Sequence, residues 1–285
     1  MILITGATGR VGGATLKRLA NNGIPVRALL RYPEKAAAVA DLGGQPIIGD
    51  LAQVRSLEAA LDGVRAALLV SPLDPHQVEL QNNFIDAAKR VGQMHIVKIS
   101  GLGTALDSPV RSGRWHAQTE KYLEDSGLPF THLRPPFFMQ NILRFAPTIR
   151  HTGEFVGALR KGKVAMVDVT DIAAVAAIAL TTSGHAGKAY TLTGLEALAY
   201  EEVAEKLSNG LGRRVIYKDI ELEVMRQRLL ASGMPAWHVD VQVDFSTALA
   251  AGQASAVTNT VEAVTGHAPR TLDQFIHEHM ALFNG

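Results

Sequence analysis

His116 and Glu120 stand four residues apart in a stretch whose pattern predicts a helix over about 114–126. On a helix, that spacing puts both side chains on one face. A carboxylate beside an imidazole favours the charged imidazolium, so the pair predicts a raised histidine pKa. His116 would then be a proton donor working near neutral pH, with Glu120 supporting its charge. The same spacing also describes a solvated surface pair of small energetic weight, and spacing alone favours that plainer reading. Other histidines offer less. His277 and His279 are spaced i, i+2, which splays their rings on a helix, so no metal site is expected. With no cysteine in the chain, disulfides, thiolate chemistry and cysteine-held metals are excluded.

Such side chains need a frame, and the amino terminus indicates which. The apolar run Met1–Thr5 reads as one buried strand and leads into Gly6-Ala-Thr-Gly9-Arg-Val-Gly12, after which a helical pattern opens. Strand, glycine turn and helix start together make an anion cradle: backbone N–H groups and the positive helix end converge where only glycine lets a pyrophosphate approach. A dinucleotide is the expected ligand, with Gly6, Thr8, Gly9, Arg10, Val11 and Gly12 around its phosphates. The next strand, 25–30, ends at Arg31, with Lys35 four residues on and no acid between Val26 and Pro33. An acid at that tip would take a ribose 2′-hydroxyl, whereas a cation takes a 2′-phosphate, so NADP(H) is preferred and NAD(H) remains possible. The bland alternative for Arg31 is a solvated surface cation. Asp50, ending the third strand with Leu51 beside it, is placed for the adenine. Ser71 and Pro72, ending the fourth, are placed for the pyrophosphate and ribose.

Strand and helix patterns alternate through 45–49, 66–70, 95–99 and 129–133. Repeated βα units predict an α/β fold: a Rossmann-type, doubly wound parallel sheet whose ligand crevice lies at the carboxyl ends of its strands. After Arg134-Pro-Pro136 the rhythm breaks into a smaller mixed α/β carboxyl-terminal lobe. The expected division is 1–150 for the nucleotide domain, with part of its sheet drawn from 151–195, and 151–285 for a substrate-binding lobe. Segment 104–113 reads as a loop over the site, and 160–163 as an exposed turn. Thr170 or Asp171 is expected to cap an Ala-rich helix, with Asp168 and Asp171 as helix-end acids. Helices are expected through 221–250 and again from Thr271 to Phe283.

Net charge is +1, which gives no electrostatic case for nucleic acid or an anionic membrane as partner. The longest helical apolar stretch, 172–180, is too short to span a bilayer, and a core strand at Met1 leaves no room for a leader. A cytoplasmic monomer or homodimer is expected.

The chain resembles the NmrA-like atypical short-chain dehydrogenase/reductases over essentially its whole length. The resemblance rests on Thr5–Gly12, Val26–Arg31, Gly49-Asp50, Lys98-Ile-Ser-Gly101, His116-x-x-x-Glu120, Leu133–Asn141 and the segment from Val257 to Thr271. The usual Tyr-x-x-x-Lys of the wider superfamily is absent: none of the five tyrosines has a lysine four residues later. The His-x-x-x-Glu pattern is similar to that of the dye and quinone reductase branch. That similarity implies Ser100 and Gly101 by the nicotinamide ribose, with Ser100 joining His116 and Glu120 in catalysis. It also implies Pro135, Phe137 and Phe138 by the nicotinamide and substrate, with Trp115 and Asn141 as further substrate contacts. Trp237 and Met234 are candidate pocket walls on position and apolar character alone. The leading expectation is a flavin-free, metal-free, NADPH-dependent reductase of a flat conjugated quinone, dye or polyketide-like substrate. A non-catalytic NADP(H) sensor and a cofactor-retaining isomerase or epimerase stay open.

Overall fold

The computed structural model describes residues 1–284, which divide into two compact units. The first comprises Met1–Leu106, Ser112–Arg134 and Val169–Thr191. The second comprises Asp107–Arg111, Pro135–Asp168 and the described chain from Leu192 onward. Residues 135–150, read from the sequence with the nucleotide domain, thus group with the second unit.

The first unit contains strands β1 (Ile2–Ile4), β2 (Val26–Leu30), β3 (Gln45–Ile48), β4 (Ala66–Leu69), β5 (His95–Ile99) and β6 (Phe130–Arg134). After β7 (Glu154–Gly157) of the second unit, β8 (Lys188–Thr191) returns to complete it. Seven strands form one sheet in the order β3-β2-β1-β4-β5-β6-β8, parallel at every pairing. The apolar runs explain the arrangement. Ile2, Leu3 and Ile4 are fully buried, as are Leu68 and Leu69, because central parallel strands are covered on both faces. Helix Arg10–Asn21 turns Val11, Thr15, Leu16 and Leu19 inward and packs on the Ala-rich helix Val169–Thr181. Helices Val54–Leu61 and Gln77–Val91 pack together, and their buried Leu57, Leu61, Phe84 and Ile85 join the core that includes Leu3, Leu69 and Ile96.

The strand order reverses between β1 and β4, which opens a crevice at their carboxyl ends. Thr5 pins those ends together: its hydroxyl donates to Val70 O at 2.6 Å and accepts from Val70 N at 2.8 Å.

In the second unit, β7 pairs in parallel with β9 (Ile216–Asp219). Phe145, Phe155, Tyr200 and Tyr217 cluster there with ring centroids 5.0–6.0 Å apart. β7 was not expected; it is a short strand whose partner lies far along the chain. Helices occupy 221–250 as expected, Leu222–Ala231 and Ala236–Ala250 parted by the turn at Gly233, and the 271–283 stretch is helical on either side of His279. The Ala-rich helix begins at Val169, so Thr170 and Asp171 lie inside its first turn rather than capping it. Asp168 stands immediately before that helix, fully buried and paired with Arg270 at 3.6 Å, and Asp171 is the acid of its first turn. The 104–113 loop is shorter than expected, since a helix starts at Arg111. The turn at 160–163 exposes its charged side chains but buries Gly162, whose added Cβ would meet Leu249 O at 2.1 Å. Among the described residues, no helix is long and apolar enough to cross a membrane.

Candidate active site

The glycine loop lies at the β1–β4 crevice. Gly6 adopts φ +59°, a left-handed conformation that disfavours side chains. Gly12 packs the following helix onto the loop so tightly that a Cβ there would fall 2.2 Å from Gly6 O. Helix Arg10–Asn21 has Gly9 at its N-cap, no side-chain cap and no acid in its first turn. Nothing there competes with an anion for the positive helix end. Thr8, Gly9 and Arg10 are exposed, while Val11 and Gly12 are buried beneath them.

At the tip of β2 the Arg31 guanidinium lies 4.4 Å from the Tyr32 ring centre. Arg31, Tyr32, Ile48, Gly49, Asp50, Gln53 and Ser56 line a recess of about 530 Å³. Asp50 Oδ1 accepts from Ala52 N at 3.0 Å, which turns part of the carboxylate into its own loop. Leu51 O accepts from Asn83 Nδ2 at 3.1 Å. Lys35 is exposed on the short turn Pro33–Lys35, outside the recess wall. Past β4, Ser71 Oγ accepts from Gln81 Nε2 at 2.8 Å, and Pro72 is exposed.

The expected His116–Glu120 pair does not form. The two side chains share a helix, but each is claimed by a different strand. Arg134, at the end of β6, grips Glu120 bidentately: Nε donates to Oε1 at 3.1 Å and the guanidinium also donates to Oε2. Burial opposes ionisation of Glu120, yet Arg134, His132 and a hydrogen bond from Ser100 together hold its carboxyl below the usual range. Lys98, on β5 and fully buried, places Nζ 3.0 Å from His116 Nδ1, and Gln77 Nε2 lies 3.3 Å from the same atom. Burial and then the Lys98 charge push the His116 pKa well down, not up as expected. Desolvation also brings Lys98 down to about 7, with Glu120 opposing and Arg134 assisting.

The Nδ1 partners fix the tautomer. The Gln77 amide nitrogen and a lysine ammonium both only donate, so Nδ1 accepts, and the proton of the neutral ring sits on Nε2. The His116 ring is half-buried, and its Nε2 edge runs beside Gly101, where an added Cβ would lie 3.6 Å from Cδ2. Ser100 is buried, with Oγ 3.3 Å from Thr104 Oγ1. Glu120, Glu124 and His132 bring ligand-type atoms within 4.8 Å of one another, but Arg134 already occupies both Glu120 oxygens.

The second unit holds an apolar cavity of about 350 Å³. Phe137, Phe145, Tyr200, Phe245, Met225 and Met234 form much of its wall, with Arg144, Arg228 and Gln242 as polar members. That volume suits a small aromatic molecule. Trp237 lies outside the wall and stacks on His238, centroids 5.1 Å apart. Phe138 bridges to Val167 through its backbone, Asn141 N bonds to Phe138 O, and Pro135 is buried. Trp115 is half-buried on the His116 helix.

The model of the NmrA-like family matches residues 1–276. The chain belongs to the NmrA-like family. This NmrA-like chain is 41% identical over 283 residues to the NAD(P)H azoreductase of Xenophilus azovorans, covering 99% of each chain. Its fold superposes on the crystal structure of an NADPH-dependent quinone oxidoreductase from Escherichia coli complexed with NADPH, with a TM-score of 0.90. The two are 32% identical over 98% of this chain and 100% of that one. Triphenylmethane reductase from Citrobacter sp. aligns with a TM-score of 0.87 and 27% identity over 99% of both chains.

The residues of this NmrA-like protein fit a pyridine dinucleotide. The cradle has no room for a side chain at Gly12, its helix end carries no competing acid, and the recess at Arg31 stands at the neighbouring strand tip. Three side chains of the His116 cluster had no role in the sequence reading: Lys98, Gln77 and Arg134. Lys98 carried the available signal, a lone cation inside the apolar strand His95–Ile99. A charge in a strand buried on both faces demands partners.

Proposed function

We propose that the protein is an NAD(P)H-dependent oxidoreductase that delivers hydride, without flavin or metal, to a flat conjugated acceptor such as a quinone, an azo dye or a polyketide-like aromatic. One observation carries the reading. A half-buried histidine, held as the Nε2–H tautomer by Lys98 and Gln77, lies beside Gly101 at the carboxyl end of β5, in the unit that holds the glycine cradle. The relatives support it, being named for NAD(P)H-dependent azoreductase and NADPH-dependent quinone oxidoreductase activities.

A reduced nicotinamide, when bound, supplies the hydride. The chain's own groups do the rest. Loop amides and the helix start hold the pyrophosphate; Gly6, Thr8, Gly9, Arg10, Val11 and Gly12 form that cradle. Ser71, Pro72, Ser100 and Gly101 serve the ribose and nicotinamide end, and Asp50 with Leu51 the adenine end. His116 Nε2–H donates to the heteroatom on which negative charge develops, a quinone oxygen or an azo nitrogen. Ser100, Glu120 and Arg134 support this from behind by fixing the cluster. Aromatic acceptors suit the wall containing Phe137, with Phe138 and Asn141 beside it in the same unit. An acceptor of this kind requires only one donor, which accounts for the absent tyrosine.

The test is anaerobic oxidation of NADPH with a panel of quinones and azo dyes and no added flavin. Turnover is expected; no turnover on any acceptor overturns the reading in favour of a nucleotide sensor. Selection of NADPH rests on Arg31 and Lys35. Arg31→Glu should weaken NADPH by about 10- to 100-fold, the worth of a charged hydrogen bond, while NADH changes little. Calorimetry showing equal loss for both would remove the 2′-phosphate argument.

A further inference from the structure

We propose that Lys98 is the proton reservoir for His116, so that the acceptor's proton passes from the lysine through the imidazole rather than from bulk water. The inference rests on the functional reading above. Its geometric ground is that the two ring nitrogens face different neighbours: Lys98 Nζ stands 3.0 Å from Nδ1, while the Cδ2–Nε2 edge runs beside Gly101.

The charges around the pair fit a reservoir. Lys98 is fully buried; besides His116, Glu120 faces it from the same helix, and His132 and Arg134 from β6. Helix Gln77–Val91 contributes the neutral Gln77. Helix Val169–Thr181, which also packs on β5, carries Asp171 as its one ionisable residue. Glu120 favours the ammonium, while burial and Arg134 disfavour it, leaving Lys98 near the midpoint of its titration at about 7. A lysine in that balance yields a proton readily at neutral pH.

The step balances. The acceptor gains hydride and becomes an anion on oxygen or nitrogen. The Nε2–H bond breaks and its proton goes to that atom. Nδ1 takes a proton from Lys98 Nζ, so the ring stays neutral and the lysine becomes an amine. After product leaves, water protonates Nε2, and the Nδ1 proton returns to the lysine. No separate path to the buried amine is required.

Lys98→Gln tests this. The amide still donates to Nδ1 but cannot release a proton. For quinone reduction, wild-type turnover should fall as pH rises through about 7. Lys98→Gln should be on the order of 10- to 100-fold slower and should lose that limb. A cationic triarylmethyl dye accepts hydride without a proton, so its reduction should be spared in the variant. Wild-type quinone turnover with an unchanged pH profile in Lys98→Gln overturns the relay, as does equal slowing on quinone and dye. A wild type inert to every acceptor overturns the functional reading and the relay with it. Nitrogen NMR of wild-type His116 gives a readout independent of turnover. The ring should remain an Nε2–H tautomer while its Nδ1 shift moves as Lys98 titrates; an Nδ1–H ring would contradict the proposal.

Discussion

Gly12→Ala is expected to lower nicotinamide-nucleotide affinity by more than a hundredfold and to destabilise the fold by about 1–3 kcal/mol, the usual cost of overpacking. The added methyl would sit 2.2 Å from Gly6 O and 2.7 Å from Gly6 C. Both are backbone atoms, so relief requires moving the cradle itself. Gly6 cannot retreat freely, because the space at its own Cβ position is bounded by Val70 O at 3.0 Å, and Thr5 ties Val70 to β1. Gly13→Ala is the graded comparison: its methyl would meet Ala7 O at 3.1 Å and should be milder on both counts. Calorimetry with NADPH and urea unfolding measure the two effects. Unchanged affinity in Gly12→Ala would remove the loop from the binding site.

Arg134→Met should cost on the order of 3 kcal/mol of stability, because it strands the buried Glu120 carboxylate without its counterion. Glu120→Gln combined with Arg134→Met should recover most of that loss, since no charge is then left behind. The sign with pH follows from the depressed Glu120 pKa. The pair's contribution is fully present above the free carboxyl value of about 4.3 and is lost as pH falls below it through the folded value. Urea titrations should therefore show wild type and Arg134→Met converging in acid. The same variant carries a kinetic signature. Removing Arg134 takes away a cation that disfavours the Lys98 ammonium, so the alkaline limb of quinone turnover should move to higher pH. A limb that stays in place while stability falls would separate Lys98 from that limb.

The sheet could be read from sequence because its central strands are buried on both faces and so are predominantly apolar. The runs at 66–70 and 95–99 match β4 and β5 to within a residue. The cradle was equally clear, since its glycines answer a local steric demand. β7 was not, because Glu154–Gly157 is extended only through pairing with β9 some sixty residues later. The His116 cluster failed differently. Helical spacing correctly put His116 and Glu120 on one face, but their partners come from neighbouring strands. Arg134 reaches Glu120 because β6 lies beside β5, and Lys98 reaches His116 because β5 precedes that helix in space as well as in sequence. No one-dimensional spacing encodes which of these claims wins, and the outcome reversed the sign of the histidine shift.

The connectivity of the first unit bears on its synthesis. Its last helix and last strand, Val169–Thr181 and β8, follow a thirty-odd-residue excursion into the second unit. Until they leave the ribosome, β6 has an open edge and the inward face of helix Arg10–Asn21 lacks its partner. A nascent chain stopped near residue 150 is thus a sticky intermediate, and a gene fragment cut there should yield inclusion bodies, not a miniature nucleotide-binding domain.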